Sequence, residues 1–438
     1  MVPEDRIPPV RFSDLVKAFG RIGCLSFGGP AGQIALMHEE IVENRKWVSE
    51  EDYLHALNFC HLLPGPEAQQ LATWIGWKLH GLKGGLAAGG LFVLPGALVM
   101  LGLSILYASA AGLTWFAALF LGIKAAVLAI VAQALVRIAG RALDTPFKKG
   151  VAVAAFAGLF LFNLPFPFVV LGAGALGMAV AATRPDWLAL KPMAPAADPQ
   201  PHSWSHTVVT IFGWLAVWAA PMVLVLLMLG PDHVLAKVGL FFSQLAVVTF
   251  GGAYAVLAYM AQEAVQQYHW LQPQEMADGL GLAETTPGPL ILVTQHVGFL
   301  AAWRAPEPFS PLVAGILGAG LTTWVTFAPC FLWIFAFAPW IERLRHAVRL
   351  KGGLAALTAA VVGVIANLTV WFALHVLFTR TAPAAFGPLT LALPDWASFD
   401  WKVALIGLVS AVLIFKLRWN VMRVLAVAAL SGLALSLV

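Results

Sequence analysis

Five stretches of this chain, residues 84–108, 113–136, 207–229, 311–338 and 354–378, are apolar almost without interruption. Each reaches or exceeds the roughly 20 residues that a helix needs to cross the hydrocarbon of a bilayer. The runs are continuous, whereas strands of a transmembrane barrel alternate apolar and polar side chains with period two, so helices are implied. Composition agrees. Of 438 residues, 60% are hydrophobic and 11% charged, where a soluble domain has about a quarter of its residues charged. The expected class is an all-α polytopic membrane protein. The opening segment MVPEDRIPPVRF carries prolines and acids where a signal peptide has a basic start and an apolar stretch, so no cleaved signal is expected. Cys24, Cys60 and Cys330 are far apart in apolar surroundings and read as packing residues, not as a disulfide framework or metal ligands.

The chain also repeats itself. Phe27, Gly28, Gly29, Glu40, Trp47, Pro64, Gly65 and Pro66 recur as Phe250, Gly251, Gly252, Glu263, Trp270, Pro287, Gly288 and Pro289, every pair 223 positions apart (250 − 27). Further on, Pro95 pairs with Pro329 and Gln133 with Asn367 at an offset of 234, the extra residues falling near RAPEPFSP from Arg304. Two copies of one module follow. The first is assigned to 1–185, a cytoplasmic linker with one linking transmembrane helix to 186–230, and the second to 231–438.

Loop charge gives their relative orientation, because Lys and Arg concentrate on the cytoplasmic side. In the first copy the loop at 107–114 has no basic residue and the next has Arg137, Arg141, Lys148 and Lys149. In the second the bias reverses: Arg343, Arg345, Arg349 and Lys351 lie in the loop equivalent to the neutral one, and 379–400 holds only Arg380. The single crossing at 207–229 closes the parity. Inverted-topology repeats are expected, with the N-terminus and the linker around Arg184 to His206 in the cytoplasm and the second copy starting outside near Asp232. The net charge of +4 is accounted for by these loops and implies no nucleic-acid partner.

Two segments per copy are interrupted at their centre. Segment 12–46 breaks at Gly28-Gly29-Pro30 and segment 52–80 at Pro64-Gly65-Pro66; the counterparts break at Gly251-Gly252 and Pro287-Gly288-Pro289. Proline removes an N–H and glycine costs about 1 kcal/mol relative to alanine, so stacked together they end a helix and a new one begins. Backbone freed in this way persists inside a membrane only where protein or a watery cavity surrounds it. Each new start, at Ala31, Glu67, Ala253 and Leu290, presents N–H groups and the positive end of a helix dipole to an anion. The four starts are expected to meet near the midplane, where the copies face each other.

The motifs SFGGPAGQIALMHEEIV, LLPGPEAQQLATWIGW and GLAETTPGPLILVTQHVGF resemble those of the chromate transporter family, in its long, two-module form. The resemblance covers both modules. It implies two homologous halves of opposite orientation and export of chromate from the cytoplasm across a bacterial inner membrane, driven by the proton motive force or membrane potential, with resistance to chromate and competition from sulfate. One departure is FGGA in the second copy where the first has FGGP.

Charged groups inside a bilayer are costly and are functional candidates by default. Arg21, whose counterpart is Gln244, either meets a dianion or snorkels to the cytoplasmic surface. Lys124 lies in FLGIKAAVLAIVAQA and either contacts substrate or proton, or partners a buried glutamate. His61, Glu67 and Glu284 are proton-relay candidates, with capping of a half-helix as the alternative for Glu67. Gln69, Gln70, Thr285, Thr286 and Gln295 either bind oxyanion oxygens or satisfy freed backbone. Arg45 and Lys46 beside Trp47 read as an interface anchor. His296 and His375 read as satisfied helix residues, and no metal or other cofactor is expected.

No loop ending in GK[ST] is present, so ATP is not expected to drive transport, and GxSxG and HExxH are absent too. A secondary transporter is the expected class, embedded in lipid. The rivals are movement of another oxyanion in either direction, a passive anion channel, and an intramembrane enzyme, for which no nucleophile and base stand at suitable spacing. The sequence sets no oligomeric state; a homodimer is one it allows.

Overall fold

The computed structural model describes residues 10–110, 112–190, 204–250, 253–341, 347–386 and 389–436. The first copy contributes α1 (Phe12–Leu25), α2 (Gly29–His38), α3 (Glu50–Cys60), α4 (Glu67–Ala110), α5 (Thr114–Ala142), α6 (Pro146–Phe162) and α7 (Phe166–Thr183). The linking helix is α8 (Trp204–Leu229). The second contributes α9 (Val234–Val248), α10 (Ala253–Gln262), α11 (Pro273–Thr285), α12 (Val293–Arg304), α13 (Pro311–Phe337), α14 (Val348–Leu377), α15 (Trp401–Ala411) and α16 (Val421–Ser436). Among the described residues six helices are long and apolar enough to cross a membrane, α4, α5, α7, α8, α13 with its last turn to Trp340, and α14.

The local causes are ordinary. Leu15, Phe19 and Ile22 recur at helical spacing and are buried, giving α1 its inner face. Ser49 caps α3 by accepting from the Asp52 N–H at 3.1 Å, with Glu50, Glu51 and Asp52 in the first turn. Within α4, non-helical dihedrals at His80 and Gly81 end one arm and start another. A Cβ on Gly76 would collide with the Gly84 carbonyl and one on Gly84 with the Gly76 carbonyl, so the chain folds back there as a tight helical hairpin. The region 379–400, expected as a loop, contains an antiparallel hairpin of β1 (Thr381–Phe386) and β2 (Leu389–Pro394).

The expected breaks at Gly28-Gly29-Pro30, Pro64-Gly65-Pro66 and Pro287-Gly288-Pro289 occur, with two shifts. The second helix begins at Gly29, not Ala31, because Pro30 is accommodated in its first turn, where its missing N–H costs nothing. At Leu290 there is only a 3₁₀ turn, Leu290–Leu292, and α12 starts at Val293. The start at Glu67 is as expected, and α10 is described from Ala253 onward. Gly251 and Gly252 lie outside the described residues, as do Arg343 and Arg345.

Equivalent residues of the two copies adopt equivalent conformations. Lys46 (φ 54°) and His269 (φ 53°) are both left-handed, each after a π-helical turn, Glu39–Asn44 and Glu263–Gln267. The Trp47 N–H donates to Ile41 O at 2.9 Å and that of Trp270 to Ala264 O at 2.8 Å. Compactness does not follow the copies, however. One unit comprises 1–105, 195–253 and 286–346, the other 106–194, 254–285 and 347–438, so each draws on both.

In the second unit the exchange is reciprocal. Helix α7 of the first copy packs on α14 of the second, where a Cβ on Gly177 would collide with the Gly352 carbonyl. Helix α16 of the second copy packs on α5 of the first, where a Cβ on Gly432 would collide with the Ala118 carbonyl. Ala118 and Gly352 are equivalent at the offset of 234. Small residues at such crossings let helix backbones approach closely, the main source of association inside lipid.

In the first unit α8 is tied to α13 by two tryptophans. Proline cannot donate to the carbonyl four residues earlier, so Pro329 frees Val325 O and Pro221 frees Val217 O. The Trp218 indole on α8 donates to Val325 O at 3.0 Å, and the Trp324 indole on α13 donates to Val217 O at 3.2 Å. Each helix satisfies the carbonyl orphaned by the other's proline. Trp218→Phe is expected to cost about 1–3 kcal/mol, the penalty of an unpaired buried acceptor, seen as a lower melting temperature in detergent. In a Pro329→Ala background, where Val325 O regains its helical donor, the same substitution should cost less than half as much.

Candidate functional site

Within the first unit both proline-glycine tips contact the opposite copy. The Gly65 N–H donates to Thr249 O at 2.7 Å, and the Gly288 N–H donates to Ser26 O at 2.8 Å. Gly65 and Gly288 are equivalent, as are Ser26 and Thr249. The hydroxyls of Ser26 and Thr249 bond back to Ile22 O and Leu245 O, both at 2.6 Å, sealing the ends of α1 and α9. The same reciprocity extends to packing. A Cβ on Gly65 would lie 2.8 Å from Cys330 Sγ of the second copy, and one on Gly288 would lie 3.5 Å from the Gly96 Cα of the first; Gly96 and Cys330 are equivalent at 234. Such mutual contacts between equivalent residues are those of a two-fold relation.

The residues at the helix starts, Gly29, Glu67, Ala253 and Leu290, all fall in this unit, although α10 from Tyr254 onward does not. Around them are buried carboxamides. Gln33 of α2 donates to Gly288 O, Gln70 donates to Pro64 O at 2.7 Å, Gln69 donates to Thr73 Oγ1 at 3.2 Å and Gln295 donates to Ala97 O at 2.8 Å. All four side chains leave a buried Oε1 without a hydrogen bond. Thus Gln70 satisfies backbone freed at its tip, Gln295 donates to a carbonyl within α4, and the carboxamide of Gln33, absent from the sequence-derived set, belongs with them.

The remaining candidates divide clearly. Pro64, Gly65, Pro66, Pro287, Gly288 and Pro289 form the tips; Thr286 is buried beside the second tip, and the Thr285 hydroxyl donates to Leu282 O at 2.8 Å. Gly28 and Gly29 have φ of 87° and 71° and precede Pro30 at the α1–α2 break. Glu67 opens α4, half-buried, without a hydrogen bond or ion pair among the described residues, while His61 is exposed. Arg21 is 62% exposed and pairs with Glu40 at 3.5 Å. Glu40 also faces Arg45 at 3.6 Å, whose guanidinium stacks 5.0 Å over Trp47. Arg21 and Arg45 therefore belong to one surface cluster rather than to the tips. Cys24 is exposed, against the packing role expected of it; Cys60 and Cys330 are buried.

The second unit holds the buried charges. Lys124 of α5 meets Asp278 of α11 at 3.6 Å, so its partner is an aspartate and not the glutamate considered from sequence. The Tyr107 hydroxyl donates to Asp278 Oδ2 at 2.8 Å, and the Tyr254 hydroxyl donates to Glu284 Oε1 at 2.8 Å. Asp278, Tyr107 and Tyr254 were not singled out from sequence; pairing across 154 positions (278 − 124) leaves no local signal. His296 lies 2.9 Å from Ser104 Oγ through Nδ1, and His375 Nδ1 lies 2.8 Å from Trp371 O.

A family model described as chromate transporter matches residues 13–178 and 236–433, both copies and most of the chain. The chain belongs to the chromate transporter family. This transporter is 29% identical over 365 residues to the chromate transport protein of Cupriavidus metallidurans, covering 83% of each chain. It is 30% identical over 368 residues to the chromate transport protein of Pseudomonas aeruginosa, covering 83% of this chain and 81% of the relative. An uncharacterized transporter of Methanocaldococcus jannaschii is 24% identical over 421 residues, 96% of this chain and 93% of the relative. No solved structure matches it. A multi-pass membrane transporter is the class that these relatives and the six apolar helices share.

Proposed function

We propose that this transporter exports chromate from the cytoplasm across a bacterial inner membrane, with its N-terminus cytoplasmic, its two copies inverted and the proton motive force or membrane potential as the energy source, and so confers chromate resistance. The observation that carries the reading is the reciprocal bonding of the two tips. It holds helix starts, with their N–H groups and positive dipole ends, at the boundary between the copies, where a dianion can be taken up. Inversion is supported by the reversed loop charge, since a parallel repeat would place a four-cation loop on the outer face.

The test is uptake of labelled chromate into inside-out vesicles with an imposed potential, with and without a pH gradient, alongside sulfate in excess. Potential-driven accumulation of chromate, reduced by sulfate, is expected. Accumulation only in right-side-out vesicles would overturn the direction, and transport of sulfate without chromate would overturn the substrate. Glu67→Gln and Glu284→Gln should each lower net efflux at least tenfold. Flux that follows the potential and ignores both substitutions would instead identify a passive channel.

A further inference from the structure

We propose that Asp278 competes with the substrate oxyanion for the ammonium group of Lys124, so that a proton on Asp278 and an anion on Lys124 travel together. The inference rests on the proposed export of chromate and takes up the substrate-contact alternative for Lys124, adding the competitor and the sign of the coupling.

The argument begins with position. Lys124 lies about 15 Å along α5 from Thr114, inside a 29-residue apolar helix, where an unpartnered charge is costly. Its side chain is 18% exposed and that of Asp278 6%. A buried lysine and aspartate that only stabilised each other would be expected in direct hydrogen-bond contact, because the attraction offsets desolvation only when geometry is good. Two other lysine–aspartate pairs of the chain are in such contact, Lys78–Asp52 at 2.6 Å and Lys148–Asp144 at 2.8 Å. Of these three lysine–aspartate pairs, the one between Lys124 and Asp278 is the longest. At 3.6 Å there is no hydrogen bond, and Asp278 Oδ1 is buried without any. Its other oxygen is held by Tyr107, which fixes the carboxyl in place whether or not the lysine is engaged.

Among the described residues Lys124 is the one cation in an ion pair with Asp278. Helices α5, α14 and α16 pack on α11. Arg137 and Arg141 lie further along α5, while Arg349, Lys351 and His375 on α14 and Arg423 on α16 form no ion pair or hydrogen bond with Asp278 among the described residues. On α11 itself Glu275 and Glu284 add negative charge, Glu284 being engaged by Tyr254. The first-copy counterpart of Asp278 is His55 and the second-copy counterpart of Lys124 is Thr358, so this pair exists once in a molecule otherwise built twice. Protonating Asp278 removes the competing anion and leaves an uncompensated ammonium, which an oxyanion then neutralises. By linkage, binding of the anion raises proton affinity by the same factor. Export then carries a proton outward with each dianion: an inside-negative potential drives the step, and an acidic exterior opposes it.

Equilibrium chromate binding is measured on the full-length protein in nanodiscs over the alkaline range where chromate stays a dianion, together with chromate/chromate exchange and net efflux in vesicles. Asp278→Asn, a neutral mimic of the protonated acid, should bind chromate at least tenfold more tightly than wild type, with affinity no longer falling as pH rises. It should retain exchange and lose the response of net flux to a pH gradient. Lys124→Gln should bind at least tenfold more weakly, and Tyr107→Phe, the mildest change, should shift the pH profile without abolishing exchange. Wild-type exchange combined with unchanged or weaker binding in monodisperse Asp278→Asn, or an unshifted profile in Tyr107→Phe, would overturn the competition while leaving chromate transport intact. Absence of chromate binding and exchange in wild type would overturn the substrate reading and this inference together.

Discussion

Gly65→Ala is expected to abolish chromate resistance in cells that express the protein at wild-type levels. Two costs add. Gly65 sits at φ 114°, a conformation that side chains rarely adopt, which penalises any Cβ by about 1–2 kcal/mol. The new methyl would also lie 2.8 Å from Cys330 Sγ and 3.0 Å from Gln70 Nε2 in a buried tip, an overpacking cost of about 1–3 kcal/mol. The affordable relaxation withdraws the tip and breaks the Gly65 to Thr249 bond that ties the copies together. Because one of the two crowding atoms is a sulfur, Cys330→Ala should restore part of the lost resistance when combined with Gly65→Ala. The combination would still fall short of wild type, since the backbone strain remains. A growth assay across chromate concentrations reads both outcomes. Equal resistance of Gly65→Ala and wild type would refute a structural demand at the tip.

The second large effect concerns the second unit. Gly122→Leu should remove most folded protein, because its Cβ would collide with the carbonyl of Ala428, a backbone group that cannot rotate aside. Helices α5 and α16 would have to separate and lose the close packing that holds them in lipid, at a cost of about 3 kcal/mol or more. Gly102→Leu is the control: nothing lies within 4 Å of its Cβ, and its residue is exposed. Fluorescence-detected size-exclusion profiles should show a monodisperse peak for Gly102→Leu and loss of that peak for Gly122→Leu. Similar profiles for both would refute the crossing.

Much of this was legible before coordinates. The 223-residue register, read from eight recurring positions, reappears in the matched backbone angles of Lys46 and His269, and the proline-glycine breaks fall where helices end. Their legibility has a simple cause: glycine and proline act on the backbone they occupy. What stayed hidden depends on distant partners. Asp278 reads in sequence as one acid in a polar turn of α11, and only the packing of that helix on α5 makes it the counter-ion of Lys124. Arg21 shows the converse, since an isolated cation in an apolar stretch turned out to have Glu40 beside it through the bend at α2. The tryptophan ties between α8 and α13 were hidden for the same reason, although each proline that calls for one is visible in the sequence.

The crossed tips carry a consequence for how such a chain can arise and assemble. A solitary module would expose one peptide donor at its Gly65 position and one peptide acceptor at its Ser26 position, each stranded in oil at a cost of several kcal/mol. Neither can be quenched from within, because donor and acceptor are satisfied only by the sister's complementary pair. A lone module would therefore need a second one to complete its tip, and carrying both on one chain fixes them in one-to-one proportion.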